Sequence, residues 1–176
     1  MFAINQNAPI YDPAAVQPMR DELIFVGFEE ALTPEKVEEL VSNQNDSTVF
    51  FFINSVCGCA AGSARPGIAL ALQNKIIPDK FVTSFAGQDK AAVDYLRNNY
   101  LLSYPPSSPF MALFKNGELV RAIPRNHIEG KSPEEIAEDL IEIFYQHCHA
   151  AGPSISKEKY DQLVYAKMCG SKIPLA

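Results

Sequence analysis

The sequence predicts an α/β domain, a central mixed sheet of about four to five strands flanked by helices. Three observations carry this expectation. Ser47 to Asn54 is short, β-branched and aromatic, and apolar on both faces, as a central strand of a parallel sheet is. Strand and helix patterns then alternate after it, the mark of a parallel βαβ unit. Farther on, Asn116-Gly117 stands between two apolar runs, a strong hairpin signal.

The elements follow in order. A helix is expected from about Pro18 to Phe25. Thr33 caps the next one, with Pro34 at the first helical position and Glu35 near the positive end of the dipole. Val37, Leu40 and Val41 share its apolar face, and it should end near Gln44. After the central strand, Ala60 to Asn74 reads as a helix that Pro66 should kink. Phe81 to Phe85 is a strand and Asp89 to Asn98 a helix. Tyr104 to Pro109 is a Pro/Ser loop, followed by the hairpin of Phe110–Lys115 and Glu118–Ile123. Ser132, Pro133 and Glu135 form a capping box for a closing helix that reaches Cys148. Gly152-Pro153 breaks that helix, and Tyr160, Leu163, Val164 and Met168 suggest one more short amphipathic helix. Residues 1–149 are therefore expected to form one domain with an N-terminal helical extension, and residues 150–176 a helical tail.

Composition narrows the functions. The chain of 176 residues carries 15 Lys and Arg against 21 Asp and Glu, a net charge of −6. It lacks the basic runs expected of a nucleic-acid or membrane-surface binder. Its strongest apolar run, Val49 to Ile53, is far below the ~20 residues of a membrane span. Met1 to Pro13 has neither Lys nor Arg nor an apolar core, so no signal peptide is expected and a cytoplasmic location is. Structural disulfides are rare in that compartment.

Two of the four cysteines, Cys57 and Cys59, flank one glycine just after the central strand and at the start of a helix. Unpaired N–H groups at a helix start favour negative charge, which stabilises a thiolate at Cys57. No acidic residue lies between Asn54 and Pro66, and Arg65 adds positive charge. Thiolates attack disulfides. The small neighbours Gly58, Ala60, Ala61, Gly62 and Ser63 leave room for a bulky one. Cys59 is placed to resolve a mixed disulfide on Cys57. The resulting ring through Gly58 should be strained and easily reduced, with Gly58 relieving part of the strain through unusual φ/ψ. Cys148 and Cys169 read as small buried residues. A metal site drawn from Cys57, Cys59 and His147-Cys148-His149 is a competing reading. However, three consecutive helical residues point in three directions. Arg125 and His127, a polar pair after a strand, read as solvated surface or as neighbours of the site. No Gly-rich nucleotide loop is present, so no bound cofactor is expected.

The order strand, Cys motif, helix, strand, helix, Pro-led strand, hairpin and closing helix resembles the thioredoxin fold. That resemblance implies a cis bond at Ser108-Pro109, with Pro109 beside the cysteines and the Ser108 backbone pairing with extended substrate. The segments Asn54-Ser55-Val56-Cys57-Gly58-Cys59-Ala60-Ala61-Gly62, Ala64-Arg65-Pro66, Phe85-Ala86-Gly87-Gln88-Asp89-Lys90 and Pro106-Ser107-Ser108-Pro109 are similar to the bacilliredoxin family. So are Ile123-Pro124-Arg125, Ile128-Glu129-Gly130 and the position of Cys148. The similarity runs from about Arg20 to Cys148, and Asn126-His127 departs from the family's usual His then Glu.

The family resemblance implies a thiol–disulfide oxidoreductase that removes bacillithiol from bacillithiolated proteins, with bacillithiol as co-substrate. Cys57 and Cys59 are then the catalytic candidates, and Gly58, Arg65, Ser108 and Pro109 the substrate-binding ones, with no metal ligand. A disulfide isomerase or general thiol oxidant is the alternative, followed by a metal-binding module and an inert interaction module of the same fold. The extension past Cys148 could cover the sheet or form a homodimer contact.

Overall fold

The structure, a computed structural model, describes residues 5–165 and 174–176. Helix α1 spans Pro13–Phe25, starting five residues before the expected Pro18. Asp12 accepts a hydrogen bond from Ala14 N, and Pro13 sits where no N–H is needed. Pro18 lies inside the helix, which forgoes one backbone bond there. Strand β1, Glu29–Glu30, is a two-residue edge that no apolar pattern announces. Helix α2, Pro34–Val41, is capped by Thr33, whose hydroxyl accepts from Lys36 N, and it stops three residues short of Gln44.

Strand β2, Thr48–Asn54, is buried along its whole length. Its side chains alternate between two cores, as the period of a strand requires. Phe50 and Phe52 join one with Leu23, Ile68, Ile136, Leu140 and Phe144. Val49, Phe51 and Ile53 join the other with Val37, Leu40, Val93 and Leu96. The kink expected at Pro66 takes a different form. Residues 60–64 make a widened π turn, and α3, Arg65–Ala71, continues from it with Pro66 in its first turn. The proline's missing N–H therefore falls at a junction that tolerates the loss.

Strand β3, Ile76–Ile77, is followed by β4, Lys80–Phe85, and α4, Lys90–Tyr100. Strands β5, Phe110–Lys115, and β6, Glu118–Ile123, form the expected hairpin. Asn116 and Gly117 have φ of 52° and 75°, the pair of positive values that a tight hairpin turn needs. Helix α5, Pro133–His147, carries the full Ser132/Glu135 capping box. It approaches α3 so closely that a Cβ on Gly67 would lie 2.6 Å from Ile136.

The sheet has the order β1-β4-β2-β5-β6, with β1, β4 and β2 parallel and β5 and β6 antiparallel to their neighbours. Helices α1, α3 and α5 cover one face, and α2 and α4 the other. This is a thioredoxin-like fold. Beyond it, β7, Ala150–Ala151, pairs with β3. The expected C-terminal helix is confined to α6, Lys157–Tyr160, with Leu163 and Val164 past its end. Met168 and Cys169 lie outside the described residues. The chain ends against the N-terminal segment, where Leu175 bridges Tyr11.

Candidate active site

Cys57 sits one residue before the helical run that opens at Gly58. Its carbonyl accepts the first helical bonds, from Ala60 N at 3.1 Å and Ala61 N at 3.2 Å. Its sulfur accepts from Ala60 N at 3.3 Å. Cys57 thus occupies the N-cap with sulfur in place of the usual oxygen, and a helix start favours negative charge there.

The cap is held from behind. Ser55 Oγ accepts from Cys57 N, and Asn54 Oδ1 accepts from Ser55 N at 2.8 Å. Arg65 reaches in from α3, donating to Asn54 Oδ1 and to the Ser55 carbonyl. Its Nε pairs with Glu22 of α1 at 2.8 Å, and both side chains are about 99–98% buried, since only 1% and 2% of their surface is exposed. Arg65 therefore braces the loop from the interior, a placement that does not suit the substrate contact expected of it from sequence. Val56, next in line, packs with Val16, Met19 and Phe85.

Cys59 lies half-buried against the α3/α5 core, its sulfur 2.7 Å from that of Cys57, and both thiols are free. Burial, then the hydrogen bond to Cys57 and its charge, push the Cys59 thiol up to about 11, while Arg125 pulls the other way. With the pair reduced, Gly58 is exposed and helical, and a Cβ there would meet nothing within 4 Å.

The peptide bond Ser108-Pro109 is cis. The Ser108 carbonyl accepts from Arg125 Nη1 at 3.3 Å. Arg125 also pairs through Nε with Glu129 at 2.6 Å, in an exposed i,i+4 pair. The bond to Glu129, and after it the cysteine charges, hold the Arg125 guanidinium up against burial. Arg125 thus ties its own turn to the Ser108-Pro109 loop, and the pairing of Phe110 with Ile53 sets that loop at the end of β2 from which the cysteines follow. The short turn Arg125–His127 after β6 places it, 66 residues beyond Cys59, so no local spacing marks it. An open cleft of about 500 Å³ runs between Tyr104–Ser107 and Pro124–Glu129, with Arg125 on its wall.

Other sequence candidates fall elsewhere. Cys148 is fully buried at the end of α5, and burial raises its thiol to about 11, while a bond with Thr48 opposes the rise. Thr48 opens β2 and Cys57 follows its end, so the two cysteines lie at opposite ends of a strand ~20 Å long. His127 is exposed and lines a separate groove with Arg121, Lys131 and Asp139. Among the described residues no group of three or more His, Cys, Asp or Glu is placed to hold a metal ion. No described helix is long and apolar enough to cross a membrane.

Comparison with known proteins adds a family. Residues 11–148 match a family model described as disulphide isomerase. The match takes in Tyr11, Val16 and Met19, which lie ahead of the Arg20 limit seen from sequence and pack against the cysteine loop. A protein of Salinibacter ruber named bacilliredoxin is 49% identical over 143 residues, 81% of this chain and 83% of that protein. A bacilliredoxin of Geobacillus kaustophilus is 51% identical over 76% of this chain and 91% of its own. One from Cytophaga hutchinsonii is 47% identical over 77% of this chain and 98% of its own.

Proposed function

The chain belongs to the bacilliredoxin family, and we propose that it is a thiol–disulfide oxidoreductase that strips bacillithiol from protein thiols through Cys57. The observation that carries this reading is the asymmetry of the pair. One sulfur caps a helix start, and burial together with that first sulfur holds the other protonated.

The Cys57 thiolate attacks the bacillithiol sulfur of a protein–bacillithiol disulfide. A Cys57–S bond forms, the old S–S bond breaks, and the protein sulfur leaves as a thiolate that takes a proton from water. No net oxidation occurs, since the disulfide has only moved to Cys57. A free bacillithiol thiolate then attacks the bacillithiol sulfur of the adduct. Oxidised bacillithiol departs and the Cys57 thiolate returns. In the other branch Cys59 loses its proton and attacks Cys57 Sγ, expelling bacillithiol thiolate and leaving a Cys57–Cys59 disulfide. Two further thiols reduce it. The electrons come from thiols in both branches, which suits a reducing compartment such as the cytoplasm. The Ser108-Pro109 backbone is the surface on which an extended protein substrate would lie, and exposed Gly58 leaves Cys57 unshielded.

The description of the matched family favours a second reading, protein disulfide isomerisation, at the same sulfur. Mass spectrometry after brief exposure to oxidised bacillithiol tests the first. We expect one adduct on Cys57, longer-lived in Cys59→Ser and missing in Cys57→Ser. A Cys57→Ser protein that still frees a bacillithiolated model substrate would overturn the assignment. Faster action on a scrambled protein disulfide than on a bacillithiol mixed disulfide would favour isomerisation.

A further inference from the structure

We propose that the cleft between Tyr104–Ser107 and Pro124–Glu129 seats the anionic tail of the small thiol exchanged at Cys57, with Arg125 as its receptor. This rests on the reading of Cys57 as the exchanging sulfur.

The cleft has the size of a small-molecule site, about 500 Å³. Tyr104, Pro105, Pro106 and Pro124 give it stiff apolar walls, so little ordering is needed on binding. Two cations flank the loop that leads to Pro109. Arg125 donates to the Ser108 carbonyl on one side, and Arg97 donates through Nη2 to the Ser107 carbonyl on the other. Arg97 Nε and Ser107 Oγ are buried with no hydrogen-bond partner among the described residues. Both residues line a small void that shares Tyr104, Pro105, Pro106 and Ser107 with the cleft.

Arg125 already holds a carboxylate, that of Glu129, at 2.6 Å. An exposed pair of this kind is weak and readily exchanged. A carboxylate carried in by the small thiol takes the place of Glu129 and turns its sulfur toward the Ser108-Pro109 loop, which the pairing of Phe110 with Ile53 sets at the end of β2 that leads to Cys57. The rest of the chain disfavours this approach, since its net charge is −6. Selectivity for an anionic thiol must therefore be local, and Arg125 is the cation placed to supply it. Arg125 acts by positioning, and the bonds made and broken remain those at Cys57.

The test uses three symmetrical disulfides of graded charge, namely dithiodipropionate, hydroxyethyl disulfide and cystamine. Adduct formation on Cys57 is timed by mass spectrometry. Each rate is divided by that of the same disulfide with free 2-mercaptoethanol, which removes intrinsic reactivity. We expect the anionic probe to exceed the neutral one by about fivefold at low salt, the size of a single contact ion pair in water, and the cationic probe to be slowest. The preference should fade at 1 M salt. Arg125→Gln should level the three rates, Arg125→Lys should keep their order, and Glu129→Gln should raise the anionic rate. Equal rates in the wild-type protein, or a preference that survives Arg125→Gln, would overturn the proposal while leaving exchange at Cys57 intact. No adduct with any probe would overturn both.

Discussion

Cys59 should titrate late, through its burial first and through Cys57 after it. Burial raises the Cys59 thiol first, then the hydrogen bond to Cys57 and the charge on that sulfur, to about 11 in all. At pH 7.5 such a thiol is ionised in only ~0.03% of molecules, against ~10% for a free cysteine of pKa ~8.5, a ~300-fold deficit. The sign is that of an acid whose charged form is disfavoured, so reactivity climbs about tenfold per pH unit until the thiol titrates. Two of the three leading causes disappear when Cys57 is replaced or capped. Cys57→Ser should therefore move the Cys59 midpoint down, and Arg125→Gln, which removes the opposing cause, should move it up. Iodoacetamide labelling of Cys59 against pH, scored by mass spectrometry only in molecules whose residue 57 is still unmodified, measures both. A wild-type midpoint near 8.5, or one that Cys57→Ser leaves in place, would refute the coupling. If it holds, the pair is self-timed. Charge on Cys57 keeps Cys59 from competing in the first step, and capping of Cys57 by substrate releases Cys59 for the second.

Further predictions concern the scaffold. Arg65→Met breaks the buried Arg65–Glu22 ion pair and should cost about 3–5 kcal/mol, and adding Glu22→Gln should restore part of it, both read from denaturant unfolding. Gly67→Ala drives a methyl against Ile136 and should cost about 1–3 kcal/mol, lowering Tm without changing the labelling of Cys57. Gly58→Ala meets open space on a helical backbone and should leave the reduced protein as stable as before or up to about 1 kcal/mol more so. A large fall in Tm of the reduced form would show that this glycine is needed for the backbone after all.

The recognisable parts of this protein are those whose physics is local. The apolar run Val49 to Ile53, a capping box and an Asn-Gly turn each involve neighbours in the chain, so β2, the β5–β6 hairpin and the start of α5 appear where the pattern places them. The Cys57–Cys59 pair was equally plain, because its chemistry depends on sitting between a strand end and a helix start. Even the early start of α1 is a local matter, since Asp12-Pro13 is a capping pair that a search for apolar periodicity passes over.

What only the tertiary structure decided depends on residues far apart in the chain. Arg65 could be read as a cation near a thiol, but its partner Glu22 stands 43 positions away, and that pairing turns it inward. Arg125 could be read as surface or as a neighbour of the site, and the end of β6 brings it to the Ser108 carbonyl. Strand β1 exists because Glu29 and Glu30 pair with Val82 and Thr83, not because glutamates favour strands. The sequence by itself determined that a pair of cysteines would stand at the head of a helix. Which charges face that pair, and which stay buried beneath it, follow from the folding of distant segments onto one end of the sheet, because electrostatic attraction depends on distance through space and not on separation along the chain.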